Sequence, residues 1–174
     1  MTTRQSGFDV IERALRRHTF GTPSTLTEQG RPHATGVEYA VSAPGAPLAL
    51  YVTTRTTTRK VRNIQAHPDV PFVVPVPHRL IALFPPSAIQ FQGSASIISS
   101  QDDGAVRAFN SSWFFRRILA TEHRIVAQGG DLCFIRIRPD PPVFTYALGM
   151  SPVENMRRPR QAIGRVAIPA DRLL

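Results

Sequence analysis

Residues 50–74 read LYVTTRTTTRKVRNIQAHPDVPFVV, and this stretch determines how the rest of the chain is interpreted. Its apolar, β-branched beginning predicts a strand over 48–54. A threonine-rich turn then leads into a short helix that ends before Pro68, because proline disfavours helical backbone in the residue preceding it. Residues 71–76 predict the following strand. The stretch therefore predicts a strand, turn, helix and strand in succession.

Hydroxyl and basic side chains gather where this first strand meets the helix. The strand ends in Thr53 and Thr54, Thr58 precedes the helix, and Arg59 and Lys60 begin it. Hydroxyl groups, the free N–H groups of a first helical turn and two cations together suit a phosphate monoester. Arginine contributes a forked donor and lysine a compact charge. The alternative is a threonine cap followed by a solvated basic helix face.

The order of these residues resembles the signature of the pyridoxamine 5′-phosphate oxidase-like, FMN-binding split-barrel superfamily. The family pattern has the form YxTxxxSRKxxxIxxNPRVSL, and this chain has YVTTRTTTRKVRNIQAHPDV at 51–70. Upstream, GRPHATGVEYAV at 30–41 is similar to the family's GxPxxxxVxf strand. Downstream, AIQFQGSASII at 88–98 resembles its vrveGrAxi strand. The resemblance covers residues 24–99.

The sequence pattern and the resemblance predict the same class of fold. Six or seven short strands with helices between and after them predict a mainly β, α+β protein built on an antiparallel barrel. The resemblance narrows this to a split β-barrel of about six strands with peripheral helices. We expect a single domain over 1–174, with an N-terminal helix in 1–20, the barrel and its inserted helices in 21–149, and a C-terminal extension in 150–174.

The remaining predicted elements follow from periodicity and turn signals. A helix over 8–18 is amphipathic, and a second, from Asp102, is expected to bend near Asn110–Ser112. Gly93 is expected to form a bulge within its strand. The further predicted strands are 23–29, 33–42, 88–99, 132–139 and 143–149.

The resemblance also implies a cofactor site for FMN. The residues that would hold its phosphate and ribityl chain are Thr53, Thr54, Thr58, Arg59 and Lys60. The flavin ring would lie along the backbone of Thr35, Gly36 and Val37. Gln90 or Gln92 would reach the ring edge, depending on which face of their strand points inward.

The implied function is flavin-dependent oxidoreduction of an unidentified small molecule by a homodimer whose cofactor sites lie between subunits. A deazaflavin in place of FMN is one alternative, and a non-catalytic flavin or haem carrier is another. The sequence identifies no essential catalytic residue, and His33 is the best candidate for a proton donor. The chain departs from vitamin B6 oxidases, whose RxVLLK strand is replaced by TGVEYA at 35–40 and whose RLxP tail is replaced by Arg172-Leu173-Leu174.

Composition excludes several other classes of protein. The 174 residues contain one cysteine, Cys133, which rules out an internal disulfide and a multi-cysteine metal site. No apolar run reaches the roughly 20 residues of a membrane span, and no secretory signal begins the chain, so we expect a cytoplasmic protein. The net charge is +9, but the arginines are dispersed, and no nucleic-acid-binding motif is present, so nucleic acid is an unlikely partner. Lys60 is the only lysine.

Overall fold

The computed structural model describes residues 7–77, 86–126 and 131–173. The helices in these residues are α1 (Gly7–Arg17), α2 (Arg59–Ala66), α3 (Asp103–Asn110), α4 (Trp113–Val126) and α5 (Pro152–Arg157), with 3-10 turns at Pro159–Gln161 and Ala170–Arg172. The strands are β1 (Phe20–Leu26), β2 (Pro32–Ala34), β3 (Val37–Glu38), β4 (Ala40–Val41), β5 (Leu50–Arg55), β6 (Phe72–Val76), β7 (Ser87–Phe91), β8 (Gly93–Ser99), β9 (Leu132–Pro139), β10 (Val143–Tyr146) and β11 (Ile163–Val166). None of the helices in the described part of the chain is long and apolar enough to cross a membrane.

The strands form two antiparallel sheets that enclose one apolar core. The larger sheet has the order β11–β10–β7–β6–β1–β2, and β3 also pairs with β1. The smaller sheet has the order β4–β5–β9–β8. The two sheets do not close into a continuous barrel, and helices lie around them. The predicted α+β split barrel is confirmed.

The chain passes from one sheet to the other within stretches that we predicted to be continuous strands. The stretch 33–42 is divided, because β3 pairs with β1 in the larger sheet whereas β4 pairs with β5 in the smaller one. The stretch 88–99 is likewise divided between β7 and β8. The chain also passes between the sheets from β5 to β6 and from β9 to β10, each of which we predicted as a pair of separate strands. Gly93 therefore begins a strand in the second sheet rather than forming a bulge within one strand. A Cβ atom there would lie 2.5 Å from the carbonyl oxygen of Arg138, which explains the glycine.

The first strand begins earlier than the sequence predicts. The sequence predicts this strand over 23–29, whereas β1 starts at Phe20 and contains both Gly21 and Pro23. A Cβ atom at Gly21 would lie 2.3 Å from the ring of Phe72, so the glycine allows that ring to pack directly against the strand backbone. From the sequence alone, Gly21 is equally consistent with the end of a helix. In the structure, close packing against Phe72 explains it.

Aromatic rings fill the space between the sheets. Phe72 and Phe91 stack with centroids 5.5 Å apart, and Tyr39 meets Phe72 edge to face at 5.6 Å. The Tyr39 hydroxyl donates to the carbonyl oxygens of Leu15, at 3.0 Å, and of His18. Burial raises the pKa of Tyr39, so its hydroxyl remains a donor at neutral pH. These bonds fix the end of α1 over the core.

Helices α3 and α4 cover the outer face of the smaller sheet. Phe109 packs against Phe115 and Phe134 with centroid separations of 5.5 and 5.3 Å, so both helices are held to β9. The helix ends at Asn110 and resumes at Trp113, which confirms the predicted bend. Asp102 caps α3 by accepting a hydrogen bond from the Ala105 N–H group at 2.9 Å.

The last described residues join the larger sheet and the N-terminal helix. Strand β11 pairs with β10. The guanidinium of Arg172 donates to both carboxylate oxygens of Glu12, at 3.0 and 2.8 Å, and to the Ala46 carbonyl oxygen at 2.7 Å. It also lies 5.6 Å from the centroid of the Phe8 ring. The hydrogen bonds from Arg172 are the main cause of a lowered pKa at Glu12.

Candidate functional site

The junction of β5 and α2 brings two of the predicted hydroxyl groups together. Thr54 Oγ1 and Thr58 Oγ1 are 3.3 Å apart, and the Thr58 hydroxyl donates to the carbonyl oxygen of Arg55 at 3.0 Å. Thr58 occupies the N-cap position of α2, yet its side chain makes no capping hydrogen bond. The Val61 N–H donates instead to the Thr58 carbonyl oxygen at 3.1 Å, so the N–H groups of Arg59 and Lys60 at the start of α2 can receive an anion.

Thr53 lies on the opposite face of β5, which α3 and α4 cover. Its side chain pairs across the sheet with Phe134, and its Oγ1 is buried without a hydrogen-bond partner among the described residues. A buried hydroxyl without a partner is unfavourable, so this atom fits a contact to a ligand oxygen. Thr53 and Thr54 thus present their hydroxyl groups to different sides of one strand.

Arg59 and Lys60 also diverge, because successive helical residues point about 100° apart. Arg59 is exposed and lines a cavity of about 320 Å³. Lys60 is half-buried, and burial is the main cause of a lowered pKa there; the charge of Glu122 opposes this effect and that of Arg55 adds to it. Lys60 is therefore less exposed than a residue at a solvated helix start.

The cavity beside Arg59 contains two further arginines that the sequence did not identify as site residues. Arg62 follows Arg59 by three positions and Arg31 comes from the turn before β2. The spacing of Arg59 and Arg62 places both on one helix face, which was a usable signal, whereas the approach of Arg31 depends on tertiary structure. The residues that line this cavity are Thr27, Glu28, Gln29, Arg31, Arg59, Arg62 and Asn63.

A buried chain of hydrogen bonds fixes α2 against β1 and β2. Asn63 Nδ2 donates to Thr25 Oγ1 at 2.8 Å, and the Thr25 hydroxyl donates to the carbonyl oxygen of His33 at 3.2 Å. His33 Nδ1 lies 3.4 Å from Thr35 Oγ1. These contacts connect the basic helix with the stretch that the resemblance places beside the flavin ring.

The three residues predicted to lie along the ring differ in exposure. Thr35 is half-buried, and its N–H donates to the carbonyl oxygen of Pro23 at 3.2 Å. Gly36 is exposed, and a Cβ atom there would lie 2.6 Å from the ring of Phe20. The side chain of Val37 is buried in the core, so only its backbone is available to a ligand.

Gln90 lies in the other sheet from β5, on a solvent-exposed surface. It pairs with Val73 of β6 and Phe144 of β10, which are 39% and 40% exposed. Within one chain, the structure places Gln90 on the outside of the larger sheet rather than at the junction of β5 and α2.

Cys133 is buried in β9, and burial raises the pKa of its thiol, so the thiol stays protonated at neutral pH. The described residues contain no cluster of three metal-ligating side chains. The hydroxyl and basic groups around α2 form the candidate site.

The sequence model of the pyridoxamine 5′-phosphate oxidase family matches residues 9–141. The chain belongs to the pyridoxamine 5′-phosphate oxidase family. The match begins in α1 and includes both sheets as far as the passage from β9 to β10. It confirms the resemblance inferred from residues 24–99 and extends beyond those residues in both directions. No curated protein sequence matches the chain significantly.

Solved structures share this family's fold at low sequence identity. HutZ, the heme storage protein from Vibrio cholerae, is 16% identical with a TM-score of 0.62, over 83% of this chain and 98% of HutZ. A heme binding protein from Mycobacterium smegmatis is 17% identical with a TM-score of 0.66, over 95% of this chain and 60% of that protein. A pyridoxamine 5′-phosphate oxidase-related, FMN binding protein from Nostoc punctiforme is 15% identical with a TM-score of 0.61, over 95% and 98%. At these identities the similarity shows the fold.

Proposed function

We propose that this protein binds FMN by its phosphate at the junction of β5 and α2 and acts as a flavin-dependent oxidoreductase on a small molecule. The observation that carries the proposal is the uncapped start of α2, which lies beside the paired hydroxyls of Thr54 and Thr58 and the guanidinium of Arg59. Anions are stabilised at such a helix start by the free N–H groups and the helix dipole. The fold shared with an FMN binding protein supports the choice of ligand.

Each predicted residue has a distinct part in this proposal. The helix start and Thr54 donate to phosphate oxygens, and the Thr58 hydroxyl joins them by turning away from the Arg55 carbonyl oxygen. Arg59 and Lys60 neutralise the phosphate charge from two sides of α2. Thr53 gives its buried hydroxyl a partner when a ligand oxygen reaches the covered face of β5. The bound flavin supplies hydride transfer, and the protein binds and orients the reactants.

We assign to His33 the role of holding a proton beside the flavin ring. It is half-buried, and the contact between its Nδ1 and Thr35 Oγ1 fixes the imidazole next to the backbone that would contact the flavin.

A phosphate-bearing cofactor should bind far more tightly than the same cofactor without its phosphate. We expect FMN to bind the apo-protein at least tenfold more tightly than riboflavin, since one charge-assisted hydrogen bond is worth about 1.5–3 kcal/mol. Titration followed by quenching of flavin fluorescence measures both affinities, and the absorption spectrum of the purified protein identifies what it carries. A deazaflavin that bears the phosphate should show the same preference over its dephosphorylated form.

Equal affinities for FMN and riboflavin would contradict the proposed phosphate site. A haem Soret band together with no flavin binding would instead support the carrier function, which the fold shared with HutZ and the Mycobacterium smegmatis protein makes the second candidate.

We further propose that the protein is a homodimer that uses the outer face of the larger sheet. Large apolar side chains are exposed along this face at Val73, Phe144, Tyr146 and Ile163, and Gln90 lies among them. Exposed apolar patches of this kind mark interaction surfaces, and a second copy offers the same patch in an isologous contact. A dimer formed here brings Gln90 to the subunit interface.

Sedimentation equilibrium should give a mass close to twice the 19.2 kDa of the chain at micromolar concentration. Phe144→Asp should shift the protein towards the monomer, because a charge is costly to bury in an apolar interface. Val153→Asp is the matched control, since Val153 is equally apolar and 54% exposed but lies in α5. A monomeric wild-type protein, or a Phe144→Asp variant that remains dimeric, contradicts this interface.

A further inference from the structure

A separate cavity of about 200 Å³ lies on the outer face of the smaller sheet, beside the start of α3. Arg136 and Arg138 reach it from β9 and Arg107 reaches it from α3. Tyr51 of β5 pairs across the sheet with Arg136 and forms part of the cavity wall, and Ser42 lies at its edge. Three arginines and two hydroxyl groups thus surround a small space.

The three arginines form no ion pair with any residue that the structure describes. None of them forms a side-chain hydrogen bond to a described residue either, and Arg136 Nε is fully buried without a partner. Asp102 acts electrostatically on Tyr51 and caps α3 through its Oδ1, but it forms no ion pair with these arginines. Gathering like charges is unfavourable, and a buried guanidinium without an acceptor adds to this cost.

The cavity also contains a neutral donor. Tyr51 is 7% exposed, and burial together with the nearby Asp102 raises the pKa of its hydroxyl, which therefore remains protonated at neutral pH. Helix α3 approaches this hydroxyl closely because residue 104 is a glycine: a Cβ atom there would lie 2.6 Å from the Tyr51 oxygen. The hydroxyl makes no hydrogen bond to another described residue and can donate to a ligand.

We propose that this cavity binds the phosphate group of inorganic phosphate or of a small phosphate monoester. Arg107, Arg136 and Arg138 donate to its oxygens and Tyr51 contributes a neutral hydrogen bond. Phosphate fits better than a carboxylate, because it carries nearly two negative charges and three acceptor oxygens against three cations. The volume admits an anionic group and a few further atoms, below the roughly 300 Å³ at which ligand pockets usually begin.

This site is distinct from the start of α2. Tyr51 and Thr53 are alternate residues on the same face of β5, about 7 Å apart along the strand. The basic residues nevertheless come from different elements, since Arg59 and Lys60 belong to α2 whereas Arg136 and Arg138 belong to β9. Loss of one site should therefore leave the other intact.

Equilibrium dialysis of the full chain with radiolabelled inorganic phosphate, at constant ionic strength, tests the proposal. We expect one cavity-bound phosphate per chain, and a dissociation constant raised tenfold or more in Arg136→Met and in Arg107→Met. Arg157→Met, an exposed residue of α5, and Arg59→Met should leave this binding unchanged. Arg136→Met should fold normally, since it removes a buried cation that has no partner.

Glycerol 3-phosphate, used as a competitor, separates the two sources of phosphate. Tighter binding of the ester assigns the site to a phosphate monoester, and tighter binding of inorganic phosphate assigns it to the free ion. The proposal is overturned if neither binds at about 10 mM, a free energy weaker than roughly 3 kcal/mol. It is also overturned if binding persists in Arg136→Met but is lost in Arg59→Met, which would place the phosphate at α2.

Discussion

Arg172→Met should lower the free energy of unfolding by about 3 kcal/mol, more than most single substitutions in a domain of this size. Methionine retains much of the apolar stem against Phe8 but removes the donors to Glu12 and to the Ala46 carbonyl oxygen. Arg16 remains as a partner for Glu12, so the carboxylate keeps one of its two ion pairs. Urea denaturation with an unchanged slope measures the difference.

The effect of Arg172→Met should depend on pH in a defined direction. The folded-state pKa of Glu12 is lowered from its ordinary value of 4.5, chiefly by the hydrogen bonds from Arg172. The ionised carboxylate therefore stabilises the fold above about pH 4.5, and this contribution is lost as the pH falls through the lower folded-state pKa. The gap between wild type and Arg172→Met should accordingly narrow below pH 4.5.

Arg160→Met provides the control for this comparison, because Arg160 is an exposed arginine in the same C-terminal region. It should change the free energy of unfolding by no more than about 0.5 kcal/mol. If Arg172→Met is no more destabilising than Arg160→Met, the bridge to Glu12 contributes nothing measurable.

Lys60→Ala and Arg59→Ala should each weaken FMN binding about ten- to a hundredfold, equivalent to roughly 1.5–3 kcal/mol. Each removes one cation from the proposed phosphate site at α2, and Lys60 is the only lysine in the chain. Lys60 is half-buried, so its alanine variant also loses some packing and its melting temperature must be recorded alongside the affinity.

Riboflavin distinguishes a lost phosphate contact from general damage to the protein. Its affinity should be the same in wild type, Lys60→Ala and Arg59→Ala, because it carries no phosphate. Gln65→Ala, an exposed change on the same helix, should alter neither affinity. Lys60→Ala that melts earlier but binds FMN as tightly as the wild type would show that Lys60 has a structural part only.

The alternation of side chains predicted which residues are in strands better than it predicted which sheet they join. Apolar and polar side chains alternate within residues 88–99. This alternation does not show where the chain leaves one partner strand and pairs with another. That point is fixed by the close approach of Gly93 to the Arg138 backbone, a contact between residues far apart in sequence. The core positions within each half followed from the pattern because the same face of each strand remains buried.

Some features of the candidate site follow from residues close in sequence, and others depend on contacts between residues far apart in sequence. The hydroxyls of Thr54 and Thr58 were predictable neighbours because only a turn separates them. The divergence of Arg59 and Lys60 follows from helix geometry once the helix boundary is known. The cavity formed by Arg107, Arg136 and Arg138 was not predictable, because α3 and β9 meet only in the folded chain.

The four passages of the chain between the two sheets bear on how the protein unfolds. The chain runs directly from one sheet into the other at Tyr39 and at Gln92, and it also crosses from β5 to β6 through α2 and from β9 to β10. Detaching either sheet would disturb backbone that the other sheet holds, so we expect the four-stranded sheet not to unfold independently. We therefore expect amide hydrogens at the centres of both sheets to exchange with one common opening free energy, as in a single cooperative unit.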